Sequence, residues 1–321
     1  MSHLFVNQIK DSVVVLSDVY RLSNKKFRTG KNGSHFMQFT LSDRTGTIAS
    51  FFWNATDEFV AQFNDGDFVR VDGRAQIYNE RLQFIVKSLS KVDVSEVDRD
   101  VFIEAGDVDV PIMTNELSEL LNSITNPELA AIADAFLDDE EFMSTFSSSF
   151  AGIRLHHAYP GGLLEHTLAM MKLADYVGKL YPKIIDRDLL VMGAFLHDVG
   201  KTIELTGDSL SVVYSDEGQA LGHLYLGAEL LAQKIEKLER AKGSAFDATL
   251  KLKLRHMIIS HHGDPSFGAV KTPMTREALA LYLIDSLDSK LYEFQKLIDE
   301  ETDPEKAWTN FSPILERKIL K

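Results

Sequence analysis

Apolar and polar residues alternate through the first 95 positions and then repeat at helical spacing. Residues 13–20 form a β-branched run, and residues 36–41 alternate, with Met37, Phe39 and Leu41 on one face. Asp43-Arg44-Thr45-Gly46 is a turn signal, followed by a third strand at 47–53. Residues 54–63 have helical spacing, with Phe59, Val60 and Phe63 on one side. After Asp65-Gly66-Asp67, residues 68–77 alternate, with Val69, Val71, Gly73 and Ala75 on one face. Tyr78-Asn79-Glu80-Arg81 then turns the chain into a last strand at 82–92. From Thr114 the pattern is helical: Asn126-Pro127-Glu128 is a helix start, Tyr181-Pro182 a helix end, and Thr272-Pro273 a further start.

Three strands, a helix and two strands is the order of the OB barrel, a five-stranded sheet closed to hide its edges. Val71-Asp72-Gly73-Arg74-Ala75-Gln76 leading to Leu82-Gln83-Phe84-Ile85-Val86 resembles the OB-fold of nucleic-acid-binding proteins. Residues 94–112 are acidic, rich in Asp and Val, and carry Gly106 and Pro111, as a linker would. The expected fold is multidomain α+β: an OB domain over 1–93, a linker over 94–112 and an all-α domain over 113–321.

Charge sharpens this division. The 321-residue chain has a net charge of −14, which alone disfavours nucleic acid as a partner. Residues 1–95, however, carry 12 Lys and Arg against 10 Asp and Glu, whereas the rest carries 22 against 38. A near-neutral part joined to a very acidic one suggests two jobs; a solvated acidic surface accounts for most of the excess carboxylate. The chain has no cysteine, so disulfides, thiolate metal sites and Cys nucleophiles are excluded, and any metal is held by His and carboxylates. No run of about 18 apolar residues is present, so no membrane helix is expected. The first residues lack the basic and apolar regions of a secretory signal, and a cytoplasmic location is expected.

Eight of the ten histidines lie between positions 156 and 262. An apolar helix over 189–196 ends in His197-Asp198, followed by Val199-Gly200-Lys201. Upstream, His166 shares a helical stripe with Met170, Leu173 and Val177. Downstream, His223 lies on a stripe with Leu226 and Leu230, and His261-His262 follows Leu250, Leu254, Met257 and Ile258. In the last long helix Leu281, Asp285, Asp288 and Tyr292 share a face, and an inward carboxylate is costly unless paired or metal-bound. Singly, each has a plain explanation as a core histidine, a loop residue or a cap. Together, on inward faces, they point to a metal site.

These residues match a known family. His166, His197-Asp198 and Asp285 resemble the HD-domain metal-dependent phosphohydrolases, which are all-α, and the extra His223 and His261-His262 match the members that hold two metals. The strings His156-His157-Ala158-Tyr159-Pro160-Gly161-Gly162-Leu163-Leu164-Glu165-His166-Thr167, Asp216-Glu217-Gly218, Gly222-His223, His261-His262-Gly263 and Asp285-Ser286-Leu287-Asp288 resemble the YhaM-type 3′→5′ exoribonucleases, which also place an OB-fold ahead of the HD domain. A cyclic-dinucleotide phosphodiesterase branch shares the seven-ligand pattern. That branch has Gly-Tyr-Pro after its His-His pair, where Gly263-Asp264-Pro265 stands here, and a Glu four residues before its first ligand, where Gly162 stands.

The resemblance implies that His166, His197, Asp198 and Asp285 hold one ion, and that Asp198 bridges to a second held by His223, His261 and His262. Imidazole-rich sites suit Mn, Fe, Co, Ni or Zn better than Mg, and the family points to manganese. Two ions about 3.5–4 Å apart activate water and hold phosphoryl oxygens. Lys201 would neutralise the scissile phosphate, or answer a helix C-terminus. His157 would contact substrate or donate a proton, or serve structure. Asp288 would orient a ligand histidine, or pair with Lys290 or Lys253.

In the first domain Phe36, Phe51, Trp53, Tyr78 and Phe84 are candidate stacking residues; Trp53, at a strand end, and Tyr78, in a turn, stand out against a barrel-core role. Lys25, Lys26, Arg28 and Lys31 form a basic segment expected in the loop between the first two strands. The favoured function is a metal-dependent 3′→5′ exoribonuclease acting on single-stranded RNA, with single-stranded DNA as a further substrate, releasing nucleoside 5′-monophosphates. The alternative is an HD phosphohydrolase of small nucleotides whose OB domain serves assembly or regulation. No membrane partner is expected, and a homo-oligomer is compatible with either reading.

Overall fold

The structure is a computed structural model that describes residues 3–30, 33–79, 81–102, 109–152, 159–208, 211–299, 301, 306–312 and 315–321. Contacts divide the chain into two units that part between Ala105 and Gly106.

The first unit is a closed barrel of β1 (Val14–Thr29), β2 (His35–Asp43), β3 (Gly46–Trp53), β4 (Phe68–Tyr78) and β5 (Arg81–Val92), in the order β1-β2-β3-β5-β4. Helix α1 is a single turn, Asp57–Val60, capped by Thr56. It is shorter than the helical spacing of 54–63 predicts, although Val60 and Phe63 are both buried. The inward residues Tyr20, Leu22, Met37, Phe39, Leu41, Val69, Val71 and Ala75 fill the barrel as period-two alternation requires. Phe84 belongs with them at 0% exposure, so it is not available for stacking. Its neighbours in register are Ser50 and Ala75, both inward-facing, and it fills the space they leave.

The basic segment is not a loop. Strand β1 continues through a bulge between Ser23 and Lys26, with Asn24 at φ 54°, a conformation Asn tolerates. Lys26 therefore pairs with Gln38 and Arg28 with Phe36 inside the sheet. Lys25 turns to the end of α1, where its ammonium donates to the carbonyls of Val60, at 3.1 Å, and Phe63. Lys31 lies outside the described residues. The stretch expected as a linker is partly structured. Short 3-10 turns span Val94–Glu96 and Arg99–Val101, and Phe102 packs edge-on against Phe68 of β4 at 4.8 Å.

His3 ties the start of the chain to the barrel. Its Nδ1 lies 2.8 Å from Asp18 and its Nε2 3.0 Å from Asp43, and these carboxylates also accept the backbone N–H groups of Leu4 and Val6. Burial disfavours the imidazolium, but the two carboxylates outweigh it and raise the pKa from 6.5 to about 9. A folded-state pKa above the unfolded one gives stabilisation that is complete below pH 6.5 and lost as pH rises through about 9. The barrel's unfolding midpoint, followed by Trp53 fluorescence in a Trp308→Phe background, is expected to fall between about pH 7 and about pH 10. In His3→Ala that slope should vanish.

The second unit is helical. It contains α2 (Val110–Asn122), α3 (Pro127–Leu137), α4 (Glu140–Ser148), α5 (Gly162–Leu180), α6 (Arg187–Leu196), α7 (Lys201–Glu204), α8 (Asp216–Lys242), α9 (Ala248–Ser260) and α10 (Arg276–Asp299). Side-chain caps from Asp109, Asn126, Asp139, Asp186, Ser215 and Asp247 start six of these helices. A hairpin of β6 (Leu205–Asp208) and β7 (Ser211–Tyr214) interrupts the expected all-α pattern. Ser211-Val212-Val213-Tyr214 has the β-branched and aromatic composition that strands favour.

Helix α6 is apolar on all sides, and each of its residues from Leu189 to Leu196 is buried. Such a helix belongs at the centre of a bundle. It packs against α5, α9 and α10. Whatever follows its last turn is delivered into the core.

Candidate metal centre

His197 and Asp198 follow α6 directly and are buried, at 0% and 2% exposure. Helix α5 supplies His166 from a face that also buries Leu163, Met170 and Ala174. The end of α9 supplies His261 and His262, α8 supplies His223, and α10 supplies Asp285 and Asp288. The structure thus brings together seven candidate ligands that the sequence spreads from 166 to 285, with Asp288 beside them.

Two clusters meet here. His166, His197 and Asp198 offer donor atoms within 4.8 Å of one another, and so do His223, His261 and His262. Asp198 joins them. Its Oδ2 lies 3.3 Å from His197 Nε2 and 3.8 Å from His166 Nε2. Its Oδ1 lies 3.5 Å from His223 Nε2 and 3.6 Å from His261 Nε2. Asp285 Oδ1 stands 3.5 Å from His166 Nε2.

The outer ring nitrogens explain why four of the five imidazoles aim Nε2 inward. His166 Nδ1 donates to Asp288 at 2.8 Å, and His223 Nδ1 to Glu204 at 3.0 Å. His197 Nδ1 donates to the Ala194 carbonyl at 2.7 Å, and His261 Nδ1 to the Ile258 carbonyl at 2.8 Å. A ring that donates from Nδ1 presents a lone pair at Nε2, as a metal ligand must.

Those lone pairs face each other. His166 Nε2 and His197 Nε2 are 3.2 Å apart, and His223 Nε2 and His262 Nε2 are 3.3 Å apart. Two such lone pairs repel unless a cation, proton or metal, lies between them. Asp198 Oδ1 is buried without a hydrogen-bond partner among the described residues. A buried carboxylate oxygen left in that state is costly, and a cation removes the cost. The donor set therefore fits divalent metal.

Electrostatics agree. Burial opposes ionisation of Asp198, yet the Lys201 and His197 charges hold its carboxyl well below the usual range. Burial opposes the His197 imidazolium, but Asp198 and Asp285 raise its pKa: these carboxylates attract positive charge. Burial, with His261 and His223 nearby, pushes His262 down to about 3, so that ring stays neutral.

Lys201 opens α7, and its Nζ donates to Asp198 Oδ2 at 2.6 Å rather than answering a helix C-terminus. Asp288 pairs with His166 rather than with Lys290 or Lys253. His157 lies outside the described residues. Glu204, buried at 8%, is a site residue that motif reading passes over. Its only sequence signal is an acid set between Ile203 and Leu205.

On the barrel, strand register places two rows on the outer face. One is Arg28, Phe36 and Trp53; the other is Lys26, Gln38, Phe51, Ile85 and Arg74. Phe36 and Trp53 rings lie 4.9 Å apart, and Phe51 stacks on Trp53 at 5.9 Å with 13° between planes. Trp53 is 46% exposed. Tyr78 is exposed but not part of this cluster. It pairs with Arg81, about six residues down β5 from the level of Trp53, or roughly 20 Å away.

Residues 163–290 match the family model of the HD domain, and residues 20–92 match that of the OB-fold nucleic acid binding domain. Two solved structures are similar to the barrel. One is the second OB-fold domain of replication protein A from Methanococcus maripaludis, solved in solution, with 18% identity over 29% of this chain and 96% of that one, at a TM-score of 0.24. The other is a crystal structure of a domain of replication protein A from the same organism, with 15% identity over 29% and 97%, at a TM-score of 0.25. No described helix is long and apolar enough to cross a membrane. The chain is a closed five-stranded OB barrel followed by a helical HD domain, and an HD domain indicates a metal-dependent phosphohydrolase.

Proposed function

We propose that the chain is a metal-dependent 3′→5′ exonuclease that shortens single-stranded RNA, and single-stranded DNA as a further substrate. The observation that carries this reading is Asp198, whose two oxygens face two separate imidazole clusters. His166, His197, Asp198 and Asp285 would hold one ion; Asp198, His223, His261 and His262 would hold a second. A thiolate-free, imidazole-rich set accommodates Mn, Fe, Co, Ni or Zn, and manganese is proposed on the family resemblance. When bound, two divalent ions supply an activated water and charge relief at the scissile phosphate.

The protein's own residues do the rest. Lys201 fixes the orientation of Asp198 and adds positive charge beside it. His223 and His262 are partly exposed while His166, His197 and His261 are buried, so the phosphate approaches from the His223 and His262 side. Water adds to phosphorus and the P–O3′ bond breaks. The products are a nucleoside 5′-monophosphate and a strand one unit shorter with a free 3′-hydroxyl. On the barrel, Trp53, Phe51 and Phe36 stack bases while Lys26 and Arg28 meet phosphates. A fused strand-binding surface favours a polymeric substrate over a free nucleotide.

The test is digestion of a 5′-labelled single-stranded RNA with Mn²⁺, beside an EDTA control and a panel of mononucleotides. The expected result is a metal-dependent ladder shortening from the 3′ end. Intact RNA with hydrolysed mononucleotides would replace this reading with that of a small-nucleotide phosphohydrolase.

A further inference from the structure

We infer that Glu204 is the positioning residue for the second ion, and that this outer ion is the exchangeable one of the two; the inference rests on the two-ion reading above.

The argument begins with a break in α8. Gly222 has φ 73° and ψ 157°, far from helical, and the helix restarts at His223. A residue that begins a helical segment has a backbone N–H without an intrahelical acceptor. Glu204 supplies that acceptor. One oxygen, Oε1, takes the His223 backbone N–H at 2.9 Å and the His223 Nδ1–H at 3.0 Å. A single carboxylate oxygen thus sets both the position of the His223 main chain and the direction of its ring.

The backbone of Glu204 is itself fixed. Its carbonyl accepts the Ser215 N–H at 2.9 Å. Gly218 packs so closely that a Cβ there would lie 2.2 Å from the Glu204 carbonyl oxygen. On the other side, a Cβ on Gly200 would lie 2.1 Å from the His223 carbonyl oxygen. The α7–α8 contact is therefore set by glycines, and Glu204 projects from it onto His223.

The two clusters are not equally supported. Both imidazoles of the inner set have an Nδ1 partner, Asp288 for His166 and the Ala194 carbonyl for His197, and of its donors only Asp285 is partly exposed. In the outer cluster His262 Nδ1 is buried without a hydrogen-bond partner among the described residues, and two of the three donors are partly exposed. With one ring unanchored, the outer cluster depends on its other two anchors. The Ile258 carbonyl that orients His261 is ordinary helix backbone, so among the described residues Glu204 is the only side chain that orients a ring of this set.

The experiment titrates metal-free full-length protein with Mn²⁺, by calorimetry and by metal analysis after desalting, with electron paramagnetic resonance as the spectroscopic readout. Wild type should take two ions per chain and give a spin-coupled signal. Glu204→Gln keeps an acceptor oxygen but loses the charge. It should keep the first ion at wild-type affinity, bind the second about 10–100-fold more weakly, and show an uncoupled signal at low Mn²⁺. Two ions bound to Glu204→Gln with wild-type affinity would overturn the inference, and so would equal weakening of both. Wild type that binds only one ion would instead overturn the two-ion reading beneath it. Should the Gln variant fail to fold by circular dichroism, Glu204→Asp, which keeps the charge but retracts it from His223, carries the same expectation.

Discussion

Asp198→Ala is expected to abolish metal-dependent hydrolysis and to strip the centre of both ions. Among the described residues no other side chain joins the two clusters: Oδ2 faces His197 and His166, and Oδ1 faces His223 and His261. Removing it takes a ligand from each ion at once and deletes the negative charge that draws cations to a site otherwise rich in neutral imidazole. A loss of even 4 kcal/mol of transition-state stabilisation is about a thousandfold in rate, and the expected drop is at least that. Lys201, 9% exposed and bonded to Asp198 Oδ2, would lose its partner, a change that typically costs about 3–5 kcal/mol when a buried pair is broken. A thermal melt therefore accompanies the assay. Asp198→Asn keeps the shape and one acceptor and should melt closer to wild type while remaining inactive. If either variant retains Mn²⁺-dependent cleavage above a hundredth of wild type, Asp198 does not bridge the centre.

The inner cluster was legible in the sequence because helix periodicity carries it. His166 lies on a stripe with Met170, and His197-Asp198 ends an all-apolar helix, so inward placement follows from spacing alone. The element order of the barrel was equally readable, since period-two alternation marks each strand. What could not be read depends on contacts between distant segments. By spacing His223 continues a helical stripe with Leu226 and Leu230, yet the helix breaks one residue before it, and Glu204 from another element holds it in place. Nothing local to Glu204 announces that role. The basic segment lies in the sheet rather than in a loop because Asn24, at φ 54°, allows β1 to pass through a bulge where turn residues suggest an end. The correction changes the functional picture. In the sheet, Lys26 and Arg28 stand in register with Gln38 and Phe36, beside Phe51 and Trp53, whereas Lys25 is engaged with the carbonyls of Val60 and Phe63. The same alternation that marks β5 places Phe84 in line with Val86 and so in the core.

Trp53→Ala is expected to separate binding of the strand from cleavage. Trp53 ends β3 with nearly half its surface exposed, stacked on Phe51 and next to Phe36, with Arg28 beside it in the same row. An exposed indole supported from behind by a second ring is a platform for a base, and such stacking is worth about 1–3 kcal/mol per base. Trp53→Ala should therefore weaken binding of a labelled single-stranded oligonucleotide by about 5- to 150-fold, read by fluorescence anisotropy with metal withheld. Because Trp53 is exposed and outside the barrel core, the fold should hold, and circular dichroism checks this. Cleavage of a small phosphodiester such as bis-p-nitrophenyl phosphate, which has no strand for the barrel to hold, should proceed at the wild-type rate. Digestion of long RNA should fall through KM rather than kcat, since the lost interaction binds ground state and transition state alike. Unchanged oligonucleotide affinity in Trp53→Ala would remove this face from the strand's path. An equal loss on the small diester would mean that Trp53 supports the hydrolytic domain rather than the strand, the result the regulatory reading of the barrel requires.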